Sequence, residues 1–153
     1  MANAYDYALN LLSARPYTIR NLKRKLVRKV YPPAEIESTM ERLIASGLLD
    51  DNRYAQQFAR SKLLGAGGSK RRLRQQLYQR GIPNSVADPA IDSVIEDESI
   101  DLSVVIEKDA RKKLASLGDL DPLVVKRRLF SHLARRGYDI DMINTVMKKL
   151  LKA

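Results

Sequence analysis

Arg20, Arg24 and Arg28 follow one another at intervals of four, with Lys23, Lys25 and Lys29 between them and no acid anywhere from Asp6 to Glu35. Residues four apart lie on one face of a helix. Such a row of fixed cations can neutralise phosphate oxygens or carboxylates through charge-assisted hydrogen bonds. A second acid-free window, between Asp51 and Asp88, holds Lys70, Arg71, Arg72 and Arg74. A third cluster comprises Lys126, Arg127, Arg128, Arg135 and Arg136. The candidate nucleic-acid or partner-binding residues are Arg20, Lys23, Arg24, Arg28, Lys70, Arg71, Arg72, Arg74, Arg127, Arg135 and Arg136. With 28 basic residues against 18 acids, the net charge of +10 favours polyanionic partners.

Catalytic chemistry has few places to reside. The single histidine, His132, sits between Ser131 and Leu133 in a helical pattern, where surface or packing roles are far commoner than catalysis. Cysteine is absent, which removes thiol nucleophiles, disulfides and thiolate metal sites. Gly65-Ala66-Gly67-Gly68-Ser69-Lys70 has the wrong spacing for a phosphate loop and no strand before it, so it reads as a turn. Asp50-Asp51 reads as a helix cap rather than a metal site. No catalytic, cofactor-binding or metal-ligating residue is assigned, and no cofactor is expected. No apolar run reaches the roughly 18 residues of a membrane span. The opening Met1-Ala2-Asn3-Ala4-Tyr5-Asp6 lacks the basic start and apolar block of a signal peptide. A cytoplasmic protein without membrane contact is expected.

The elements that carry these cations recur. Leu22, Leu26, Tyr31, Ile36, Met40, Leu43 and Ile44 are echoed by Leu73, Leu77, Ile82, Ala87, Ile91, Val94 and Ile95, and again by Leu129, Leu133, Tyr138, Ile143, Met147, Leu150 and Leu151. Ala87 is the weak member, and its neighbour Val86 is an alternative. Ala4, Ala8 and Leu12 likewise correspond to Ala55, Ala59 and Leu63, then to Ile106, Ala110 and Leu114. Spacings of three and four denote amphipathic helices. Arg15-Pro16, Tyr31-Pro32-Pro33, the glycine cluster, Gly81-Ile82-Pro83, Gly118 and Gly137 separate them. Asp50 is expected to cap a helix, with Leu49 and Tyr54 as a hydrophobic staple, and Asp139 to cap the last helix. The predicted fold is all-α, with three tandem three-helix repeats (1–47, 48–98 and 99–153) in an elongated, curved array.

With Leu22 and Leu26 turned inward, a 100° step per residue sends Arg20, Arg24 and Arg28 outward. The corresponding outward positions are Arg71, Gln75 and Gln79, then Arg127, Ser131 and Arg135. Acids are segregated too. From Gly81 to Glu107 there is no lysine or arginine, while Asp88, Asp92, Glu96, Asp97, Glu98, Asp101 and Glu107 occur. That stretch could face a basic partner or pair with the chain's own arginines, at a fraction of a kcal/mol per exposed pair.

Leu48-Leu49-Asp50-Asp51-Asn52-Arg53-Tyr54-Ala55 resembles a signature of the RecX family. Arg72-Leu73, Gln76-Leu77 and Gly81-Ile82 resemble its second-repeat helix and closing turn. Leu133-Ala134-Arg135-Arg136-Gly137-Tyr138 with Ile143, and Ala8-Leu9 with Leu12 and Arg15, are similar to its terminal motifs. The family commonly has proline where Lys70 stands and glutamate where Gln76 stands. The resemblance implies a non-catalytic, usually negative regulator of the RecA recombinase in homologous recombination, DNA repair and the SOS response. Such regulators are built of tandem three-helix repeats and lie in the groove of the RecA–DNA filament. A monomer that binds single- and double-stranded DNA weakly and without sequence preference is expected. The alternative is a helix-turn-helix or sequence-independent DNA-binding protein acting without RecA. Gln75, Gln76 and Gln79 are its candidate base readers.

Overall fold

The computed structural model describes residues 3–151. Met1, Ala2, Lys152 and Ala153, at the outer ends of the first and third predicted repeats, lie outside the described residues; so does the start of the segment read for a signal peptide. The described residues form nine helices and no strand: α1 (Ala4–Ala14), α2 (Ile19–Arg28), α3 (Pro33–Ala45), α4 (Asp51–Leu64), α5 (Lys70–Gln79), α6 (Asn84–Asp97), α7 (Leu102–Leu117), α8 (Pro122–Arg135) and α9 (Ile140–Leu150).

Local chemistry sets most of the helix starts. Asn3, Thr18, Asp50, Ser69, Asp101 and Asp121 each accept a backbone N–H of the first turn through the side chain, filling donors that a helix leaves orphaned. Asp139 occupies the N-cap position of α9 but makes no such side-chain bond. Pro32 and Pro83 precede α3 and α6 instead.

Three cores result. The first gathers Ala4, Ala8, Leu22, Leu26, Ile36, Met40 and Leu43; the second Ala55, Ala59, Leu73, Leu77, Ile82 and Ile91; the third Ile106, Ala110, Leu129, Leu133, Tyr138 and Ile143. Each fully buried leucine contributes about 1.5–3 kcal/mol relative to exposure. Two positions of the apolar echo behave differently. Ile44 is exposed. Ala87 is fully buried while Val86 is only partly so, because Ala87 and Ala90 of α6 share a core with Ala55 and Ala59 of α4. Small side chains on both helices allow a close approach that valine would prevent. Packing also runs past positions 47 and 98: Leu49 closes the first core, and Ile100, Leu102 and Val105 close the second.

The repeats meet at two joints built to one pattern. At the first, Thr18 accepts the Asn21 N–H and its Oγ1 donates to the Arg80 carbonyl at 2.7 Å. At the second, Ser69 accepts the Arg72 N–H and its Oγ donates to the Arg136 carbonyl at 3.1 Å. Beside each hydroxyl an arginine reaches over: Arg20 donates to the Gln79 carbonyl, and Arg72 to the Arg135 carbonyl at 3.2 Å. The N-terminus of one middle helix is thus tied to the C-terminus of the next, where free carbonyls attract cations. Gly81 and Gly137 close those C-termini at φ +93° and +84°. A Cβ there would stand 2.7 Å from Arg20 Cβ and 2.6 Å from Ser69 Oγ, so glycine serves both the left-handed backbone and the close approach. The equivalent residue in the first repeat is Val30, at φ +65° and 84% exposed. Among the described residues no repeat packs against it, so its side chain has room although its backbone is strained.

Candidate polyanion and partner interface

The joints decide which cations remain free. Lys23, Arg24 and Arg28 of α2 are exposed and have no carboxylate partner among the described residues. Arg20 belongs to the joint instead: its Nε is buried and it bonds across to Gln79. Helical geometry sends Arg20 away from its own core, as expected, but straight into the neighbouring repeat rather than into solvent.

On α5 the row is largely neutralised from within. Lys70 pairs with Asp92 at 2.5 Å and Arg74 with Asp88 at 2.7 Å, while Arg60 of α4 pairs with Glu98 at 2.8 Å. Asp88 and Asp92 of α6, and Glu98 just after it, therefore pair within their own repeat, while Glu96 and Asp97 are exposed without an ion pair among the described residues. Farther on, Glu107 binds Lys149 and Arg111, and its carboxyl is held below the usual range first by the Lys149 hydrogen bond and then by those cations. Arg72 is occupied in the second joint. Arg71 alone among the named α5 cations is exposed without an ion pair among the described residues.

On α8 the cations stand free again, with one exception. Lys113 of α7 and Arg127, Arg128 and Arg135 of α8 surround Ser131 in a concavity of about 320 Å³. No acid lines it and none of the four has an ion pair among the described residues. Four like charges around one hollow repel each other and favour an anion between them. Arg127 and Arg135, both named from the sequence, line this hollow; Lys113, from the preceding helix, carried no periodic signal linking it to them.

The exception is Arg136. It donates to Asp109 Oδ2 at 3.0 Å and to the Ala66 carbonyl at 2.5 Å. Asp109, only 6% exposed, also bonds His132 Nε2 at 2.9 Å and accepts the Tyr138 hydroxyl at 2.9 Å. Tyr138 in turn accepts the Gly68 N–H at 2.8 Å. Burial first, and the Asp109 charge second, hold the Tyr138 phenol far above its ordinary range, so it stays protonated and donating. The glycine turn 65–68 is thereby the landing place of the third repeat. Asp109 escaped the sequence reading; its signal was an acid inside an apolar stripe, between Ile106 and Ala110.

No group of three or more His, Cys, Asp or Glu side chains among the described residues is arranged to hold a metal ion, and no helix is long and apolar enough to cross a membrane. The architecture is an all-helical protein of three joined three-helix domains, with clusters of unpaired cations on α2 and α8 and a central α5 whose Lys70 and Arg74 are paired internally. Family models described as the first, second and third three-helix domains of RecX match residues 4–43, 50–91 and 105–147. The chain belongs to the RecX family. It is 36% identical over 141 residues to the Regulatory protein RecX of Mycobacterium sp. (strain KMS), covering 91% of this chain and 76% of that one. To the Regulatory protein RecX of Chlorobium phaeobacteroides (strain BS1) it is 31% identical over 150 residues, covering 98% and 95%. Its fold is similar to the crystal structure of RecX from Lactobacillus salivarius, with a TM-score of 0.77 at 21% identity over 98% of this chain and 96% of that one.

Proposed function

We propose that this protein is a non-catalytic regulator of the RecA recombinase, acting as a monomer in the cytoplasm during recombinational DNA repair. It lies along the groove of the RecA–DNA filament and lowers ATP hydrolysis and strand exchange. The observation that carries this reading is the division of charge: cations without acids on α2 and around the α8 hollow, against a middle repeat neutralised by its own acids. Two separated cationic faces suit phosphate or acidic protein presented at intervals along a filament, and their binding weakens as salt rises.

Autonomous helix-turn-helix binding is supported less well. Where a middle helix would read bases with its N-terminal residues, the N-termini of α2 and α5 are occupied by the following repeats, and that of α8 alone among the three is open.

RecA ATPase on single-stranded DNA, measured with substoichiometric amounts of this protein, tests the proposal. The parent lowers turnover. Replacing Lys23, Arg24 and Arg28 together by alanine weakens inhibition about tenfold, as does replacing Arg127, Arg128 and Arg135, whereas Lys70→Ala with Arg74→Ala has little effect. Inhibition unchanged in both triple variants refutes the assigned faces; no effect of the parent on RecA refutes the function.

A further inference from the structure

In the first two repeats the N-terminus of the middle helix is covered by the repeat that follows. Among the described residues no repeat covers the third, and its middle helix differs. Helix α8 begins one turn earlier than α2 or α5, so Val125 stands where Thr18 and Ser69 form their caps. Beside this end lies a groove of about 970 Å³, lined by Leu120, Leu123, Val125, Phe130, Met147 and Leu151. Leu123 is 78% exposed, and Leu120 and Phe130 are exposed as well. The outer face of a terminal repeat is ordinarily polar, and a contiguous apolar patch marks an interaction surface. Lys126, Arg127 and Lys148 also line the groove, and no acid does.

We propose that this groove docks an acidic amphipathic helix of a partner protein which, on the regulatory reading above, is the protein component of the filament. At one end of the groove, Val125 and Arg127 stand where Thr18 and Arg20 of the first repeat meet the repeat that follows. Its aliphatic lining suits leucine-like anchors spaced along one helix face, and its cations suit acids flanking them. Nucleic acid matches the adjoining hollow of Lys113, Arg128 and Arg135, which is cationic without an aliphatic floor. A second copy of this chain matches poorly, because three acids of its acidic segment are paired to Lys70, Arg74 and Arg60.

Because the chain has no cysteine, Leu123→Cys supplies a unique thiol for a photo-crosslinker, with Ser38→Cys on the exposed face of α3 as control. On RecA filaments the Leu123 probe crosslinks to protein and the control does not. Separately, a labelled helical peptide of roughly 15 residues, with leucines on one face and glutamates elsewhere, binds the full chain saturably. Leu123→Glu, or Lys126→Glu with Lys148→Glu, weakens it about tenfold, and a scrambled peptide does not bind. Crosslinking to DNA or to a second copy overturns the proposal. So does normal filament binding without a protein crosslink, which leaves the regulatory reading standing. If the chain ignores filaments altogether, the regulatory reading fails, and the groove is overturned if the peptide binds the parent and the Leu123→Glu variant equally or binds neither.

Discussion

At the first joint the Arg80 guanidinium lies 4.6 Å from the centre of the Phe58 ring; at the second, Arg136, in the same place in its repeat, donates to Asp109. Phe58 and Asp109 are themselves equivalent, each one residue before a buried alanine, Ala59 or Ala110. The backbone frame around them is shared: a capping hydroxyl, a reaching arginine and a closing glycine. One arginine is thus satisfied by an aromatic face and the other by a buried carboxylate that also holds His132 and Tyr138. The frame sets the direction in which repeats stack, and the side chain facing the arginine sets what each joint is sensitive to. An arginine over a ring tolerates loss of its partner, because water can take over. A charge buried with fixed partners does not.

The largest expected effect follows from that asymmetry. Asp109→Ala leaves the Arg136 Nε–H and the Tyr138 hydroxyl without their acceptor and costs about 3 kcal/mol in urea unfolding. Phe58→Ala, which removes a half-buried ring, costs about 2 kcal/mol or less and is insensitive to salt. Equal losses would break the distinction between the joints. Next come the closing residues. Gly81→Ala and Gly137→Ala each cost about 2 kcal/mol, from left-handed backbone combined with a Cβ clash. Val30→Gly at the equivalent unjoined position adds about 1 kcal/mol to thermal stability by relieving strain alone. If Val30→Gly destabilises as the alanine variants do, the glycines are serving the backbone differently from the way described.

The smallest effect concerns Asp51, found only at the first joint, where its carboxylate accepts the Ile19 N–H at 2.9 Å. Burial outweighs that bond and raises its pKa above the ordinary carboxylate value. The charged form is therefore the disfavoured one in the folded chain. The penalty is present at neutral pH, falls as pH drops through the raised pKa and is gone below about 3.9. Asp51→Asn keeps an acceptor and loses the charge, so it melts slightly higher than the parent at pH 7. The difference disappears near pH 3.5. A constant offset across that range would place the effect elsewhere.

Much of the fold was legible because helix periodicity and caps are local. The echo of Leu22 and Leu26 in Leu73 and Leu77 names a buried face without reference to anything distant, and Asp50 needs only Arg53 to show itself a cap. The candidate site was legible only in part. Periodicity says that Arg20 leaves its own core but not that another repeat waits there. The pairing of Lys70 with Asp92 joins two helices across a turn, and spacing along one helix cannot reveal it. Lys113 joins the α8 hollow only once α7 is laid beside it. Asp109 could have been noticed as an acid on an inward face, but its partners come from two other segments.

The middle repeat is the only one of the three that carries both halves of a joint, Ser69 at its outgoing end and Gly81 at its incoming one. The first offers a hydroxyl but meets any predecessor with Val30; the third offers Gly137 but no hydroxyl at Val125. Duplicating the segment from Asp50 to Glu98 in the gene would therefore lengthen the molecule with every seam intact. Copying either outer segment would create a seam lacking one half of its joint, so the middle segment is the one that repeats at least cost.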